Sequence, residues 1–175
     1  MDNLIEYFIK EPEKDFHVRG LSKLLKKSPT TISKYLNKYE KDGILISEKK
    51  FNHLFFRANL NNYFFKCLKL NYNLNLLNNS GIIDFLEKEY NPEAIILFGS
   101  FAKAEDTKKS DVDILIITSN KNYLDLKTFE KKIGKSIQLH IYSYKDVNLM
   151  KIKNKELLNN LINGILIRGY WELFK

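Results

Sequence analysis

Cysteine is nearly absent: Cys67 is the only one in 175 residues. A disulfide framework and any cysteine-built metal cage are excluded, and Cys67 is expected in a core as a small hydrophobe. Long hydrophobic runs are missing too. No stretch approaches the roughly 18–20 apolar residues of a membrane span. The opening segment, MDNLIEYFIKEPEKD, has neither a basic leader nor a long apolar one. No secretory signal is read, so a cytoplasmic protein with no membrane partner is expected. Arginine is scarce: of 29 basic residues only Arg19, Arg57 and Arg168 are arginine. No internal repeat is found. What the chain does have is 44% hydrophobic and 29% charged residues. That is enough apolar material for a core, and it excludes disordered and collagen-like classes. The length suits one domain or two small ones.

The net charge is +8. Lysine is used heavily alongside asparagine and isoleucine, so the bulk count says little about partners. Its distribution says more. Between Phe16 and Arg57 ten basic residues face three acidic ones, Glu40, Asp42 and Glu48. A local positive field of this kind suits nucleic acid; a solvated basic face is the alternative.

Residues 1–60 have a definite order. Leu4, Ile5, Phe8 and Ile9 make an apolar stripe, predicting a helix over 3–10. Pro12 follows it, with Phe16–Val18 as a short edge strand. Gly20–Lys27 reads as a second helix with Leu21, Leu24 and Leu25 inward. Ser28 caps a third helix over Pro29–Asp42, with Pro29 at its first position. Ile32, Leu36 and Tyr39 are its buried face, and Gly43 stops it. Two strands follow, Ile44–Ser47 and His53–Asn59, around a tip at Glu48–Asn52. This order resembles the winged helix-turn-helix family. The resemblance implies that the third helix enters the major groove of double-stranded DNA through Thr30, Thr31, Ser33, Lys34 and Lys38. Lys49 and Lys50 would touch backbone from the wing. Winged helices also serve as protein-interaction modules, which is the competing expectation.

Tyr63–Leu70 is predicted as a linking helix and Asn71–Ser80 as a loop-like joint. The expected organisation is therefore a domain over 1–60, a connector over 61–79 and a second domain over 80–175. The apolar Tyr63–Leu70 helix suits a homodimer or packing between the domains.

The sharpest signal is IILFGSFAKAEDTKKSDVDILII over Ile95–Ile117. Ala94–Phe98 reads as a buried strand broken by Gly99-Ser100. A charged loop follows, and Asp111-Val112-Asp113 opens a second strand. Residues i and i+2 of a strand share a face, so Asp111 and Asp113 present two carboxylates side by side. Paired carboxylates repel unless a cation lies between them. Hard oxygen ligands suit Mg²⁺ or Mn²⁺, which also take substrate phosphates. Gly99 permits close backbone approach. A phosphate site beside a divalent-cation site describes a nucleoside triphosphate pocket.

This segment resembles the minimal nucleotidyltransferases of the DNA polymerase β-like superfamily, over about Ser80–Gly169. Their pattern is Gly-Ser, a spacer, then Asp-x-Asp, usually preceded by serine. Here it reads Gly99-Ser100, then Ser110-Asp111-Val112-Asp113. The resemblance implies an α+β fold, with the winged helix followed by a mixed sheet flanked by helices. It implies a two-metal transfer of a nucleoside monophosphate, adenylate among the candidates, onto a protein or nucleic-acid hydroxyl. Asp111 and Asp113 would hold the metals, and Gly99, Ser100, Lys103 and Ser110 would line the nucleotide site. The family usually has a third carboxylate on a later strand. On SIQLHIYS (Ser136–Ser143) that place falls to Gln138, which brings no charge to a metal. His140 shares its face, as a ligand, a base or an inert side chain. Lys103 and Ala104 stand where arginine and glycine are common. The alternative function is a DNA-binding regulator whose transferase domain binds nucleotide or a partner but turns over weakly.

Overall fold

The computed structural model describes residues 2–172. They fall into two compact units, one ending at Lys69 and the other beginning at Leu70.

In the first unit α1 (Asp2–Lys10) buries Leu4, Ile5, Phe8 and Ile9. Phe16 opens β1 (Phe16–His17) and packs edge-on against Phe8. The His17 Nδ1 atom then accepts the Gly20 amide at 3.2 Å. This cap starts α2 at Val18, two residues before the expected Gly20, and the helix ends at Leu25. Leu21 is fully buried, but Leu24 is 59% exposed, contrary to expectation. Leu21 and Leu25 stand one turn apart on the inner face, and Leu24 falls beside it. Ser28 accepts the Thr31 amide and caps α3 (Pro29–Lys41), with Pro29 in the first turn. Ile32 and Leu36 are its buried residues.

β2 (Leu45–Lys50) runs further toward the tip than the expected Ser47, while β3 (His53–Ala58) starts at the expected His53. The connection shrinks to Phe51-Asn52, with φ of 48° and 61°. Two consecutive positive φ values are the twist-matched geometry of a two-residue hairpin. The sheet order is β1-β3-β2, antiparallel throughout.

Tyr63–Ser80 is one helix, α4, so the expected loop at Asn71–Ser80 does not exist. Asparagine is a poor helix former but not a breaker. In this stretch Asn73 and Leu77 are buried, with Leu74 packed against the core, and burial outweighs propensity. Cys67 also departs from expectation: it is exposed. Phe65 and Lys69, one turn apart, take the buried face, and Cys67 points away from it.

The second unit is built on a four-stranded sheet in the order β6-β5-β4-β7. After α5 (Ile82–Tyr90) come β4 (Ala94–Phe98), the single turn α6 (Gly99–Ala102) and β5 (Val112–Ile117). Next are α7 (Lys127–Ile133), β6 (Ile137–Tyr142), α8 (Tyr144–Lys153), α9 (Lys155–Ile162) and β7 (Ile165–Gly169). β5 and β6 run parallel; the other pairs are antiparallel. The sheet is thus mixed, as expected. All five β4 residues are buried. Ile95 and Leu97 join Ile82, Ile83 and Leu86 in one core. Ala94, Ile96 and Phe98 join Val147, Met150, Leu158 and Leu161 in another, on the opposite face. Helices therefore flank both faces. α7 ends where Gly134 turns to φ +76°. α8 was not anticipated. A reciprocal capping box between Ser143 and Asp146 starts it.

Candidate active site

β4 and β5 pair so that Phe98 lies opposite Asp113. Gly99 follows at φ +72°, a region that side-chain-bearing residues avoid. A Cβ on Gly99 would stand 2.3 Å from Asp113 Oδ2. The turn is glycine because the Asp113 carboxylate occupies the space a side chain would need. Backbone bend and acid are packed directly together.

Asp111 and Asp113 flank Val112, which is fully buried while both acids stay partly exposed. The parallel partner β6 meets this face with Gln138 and His140, and Ser136 directly precedes the strand. Asp113 lies opposite Gln138, and Leu115 opposite His140. Ser136 Oγ donates to Asp111 Oδ1. Gln138 Nε2 donates to Asp111 Oδ2 at 2.5 Å. The Ser136 hydroxyl first, then the Gln138 amide and the Lys135 charge, hold the Asp111 carboxyl below its ordinary range. Asp111 is thus a satisfied, ionised carboxylate. His140 Nε2 stands 3.5 Å from Asp113 Oδ1.

The loop between turn and acids is fixed from below. Asp106 is buried, accepting from Asn73 Nδ2 at 2.8 Å and pairing with Lys135 Nζ at 3.2 Å. Lys135 also donates to the Thr107 and Ser110 carbonyls. Ser110 Oγ accepts the Thr107 amide at 2.9 Å, closing the turn before Asp111. Lys103 is exposed at the C-terminal end of α6.

A family model described as polymerase beta, nucleotidyltransferase matches residues 80–169, more than half of the chain. The chain belongs to this family. No curated protein matches it. As a polymerase β-type nucleotidyltransferase, it has its Gly-Ser turn and Asp-x-Asp pair at adjoining ends of β4 and β5, the two strands pairing at Phe98 and Asp113.

Among the described residues no group of three or more His, Cys, Asp or Glu converges to hold a metal. The donor set still fits one hard cation. Two carboxylates share a strand face, one seated in a cradle that a Cβ would fill, and a triphosphate supplies further oxygens.

Sequence reasoning missed four contributors. Ser136 was findable, since it alternates with Gln138 and His140 along the expected strand. Asn73, Asp106 and Lys135 come from α4, a loop and the position two residues before β6, with no local signal joining them.

In the nucleotidyltransferase's first unit, Thr30, Thr31, Lys34 and Lys38 are exposed on α3 and Ser33 is half-buried. The Thr31 hydroxyl also contacts Ser28 Oγ at 2.8 Å. Lys49 is exposed near the hairpin tip. Lys50 differs: its ammonium lies 2.8 Å from Asp15 and 3.0 Å from Glu48, and those contacts raise its pKa. No described helix is long and apolar enough to cross a membrane.

Proposed function

We propose that the chain transfers a nucleoside monophosphate, adenylate being the first candidate, from a nucleoside triphosphate onto a hydroxyl of a protein or nucleic acid. The carrying observation is the Asp113 carboxylate packed into the Gly99 bend of a family-matching domain. In this reading Gly99 and Ser100 receive the β- and γ-phosphates, flanked by Lys103 and Ser110. Asp111 and Asp113 hold Mg²⁺ or Mn²⁺, which when bound neutralises charge on the phosphates. The hydrogen bonds from Ser136 and Gln138 keep Asp111 ionised and oriented. The acceptor hydroxyl oxygen bonds to the α-phosphorus as the bond to pyrophosphate breaks, and the hydroxyl proton leaves to solvent. The test is label transfer from α-³²P-labelled triphosphates. Asp111→Ala and Asp113→Ala are expected to cut the rate about a hundredfold or more; transfer unchanged in both would refute the reading.

The proposal extends to residues 1–60 as a winged helix that binds double-stranded DNA. It is supported by the order of α1 to β3 and by the exposed polar face of α3. Exposed Tyr63 and Phe64 support a homodimer through α4.

A second reading is a DNA-binding regulator with weak turnover. The Gln138 amide favours it, since at the expected third-carboxylate position it turns a donor, not a ligand, toward Asp111. Gln138→Asp separates the two. A rise in transfer shows that the missing acid limits turnover; an unchanged rate shows that another group already fills its role.

A further inference from the structure

The face that carries Asp111 and Asp113 contains a buried polar atom with no hydrogen bond. His140 Nε2 is buried and makes no hydrogen bond. Buried polar atoms almost always have partners, so this one calls for a ligand. It is aimed at Asp113 Oδ1, 3.5 Å away. That is a poor hydrogen-bond distance. It suits two donors sharing a cation, since ligands about 2.0–2.2 Å from one ion lie about 3–3.5 Å apart. The ring is held in place: its edge meets Phe98, centroids 5.0 Å apart, and β6 fixes its height opposite Leu115.

The neighbours are otherwise engaged. Gln138, opposite Asp113, turns its amide to Asp111. Both Asp111 oxygens already accept hydrogen bonds, from Ser136 and Gln138. Two residues past Gln138 on the same face, His140 is the next donor in line.

We propose that His140 Nε2 is a ligand of the divalent cation, shared with Asp113, in place of the absent third carboxylate. This rests on the nucleotidyltransferase reading above. An imidazole brings a lone pair without a negative charge. Mg²⁺ keeps to oxygen ligands, whereas first-row transition ions accept imidazole. The site therefore takes Mn²⁺ in preference to Mg²⁺.

The full chain is loaded with Mn²⁺ and inorganic tripolyphosphate, which contains no nitrogen, and examined by pulsed EPR. The expected spectrum carries the coupling of a directly bound ¹⁴N. It persists in His17→Ala and His53→Ala and is lost in His140→Ala and His140→Asn. In Mn²⁺/Mg²⁺ competition, His140→Asn lowers the preference for Mn²⁺ by about tenfold or more. Bound Mn²⁺ with oxygen-only ligation in the unmodified protein overturns the proposal and leaves the nucleotidyltransferase reading standing. Failure of Mn²⁺ to bind at all overturns both.

Discussion

The acidic end of β5 and the basic tip of the β2–β3 hairpin pose the same problem: each sets two like charges close together. In each, neighbours take up one member and leave the other freer. They do it by different means. Asp111 is held by neutral donors, Ser136 and Gln138, which orient the carboxylate and preserve its charge. Lys50 is held by two carboxylates, Asp15 and Glu48, which offset its charge. Neutral partners aim a charge; opposite charges cancel it. Asp111 thus keeps its negative charge, while the basic tip is left to Lys49.

The contrast is strained most by removing the cation behind the acids. Lys135→Met removes the ammonium that stands 3.2 Å from the Asp106 carboxylate, itself only 4% exposed. The expected loss is about 3 kcal/mol or more in urea unfolding, and Asp111 also loses a charge that favours its ionised form. Unaltered stability would mean that the buried pair does not hold the loop. Gly99→Ala comes next. The methyl meets the Asp113 carboxylate and a positive φ, for a loss of about 1–3 kcal/mol, measured the same way, together with lost transfer activity.

Titration should sharpen the difference. The native Asp111 pKa lies below its ordinary 3.8. Its stabilising contribution is complete above that ordinary value and fades as pH falls through the lowered one. In ¹³C NMR the Asp111 carboxyl should titrate below that value; Ser136→Ala should move the midpoint up, and no movement would show that the hydroxyl is idle. The smallest effect concerns the hairpin. In DNA binding, Lys49→Ala should lower the salt slope by about 1. Lys50→Ala should change it less, since Asp15 and Glu48 already offset that charge. Equal effects would break the comparison.

The frame of the site was legible in the sequence because β4 and β5 are short apolar runs ended by Gly99 and opened by Asp111. Local signals carried that far: alternation, a glycine break, paired acids. They also marked the start of α3 through Ser28-Pro29. The rest depends on contacts distant in sequence. Lys50 meets Asp15, 35 residues away in the chain. Asn73 reaches Asp106 from a stretch whose asparagines suggested a loop. α8 shows few buried apolar positions, Val147 and Met150, too few for its periodicity to stand out, although Ser143 and Asp146 already spelled its capping box.

β4 lies between two cores, with no residue of the strand open to solvent. Its amides should resist deuterium exchange until the entire unit opens at once. The Gly99 bend hangs from the segment that lets go last. A triphosphate would therefore meet a receptacle already shaped before it arrives, with little ordering left for binding to supply.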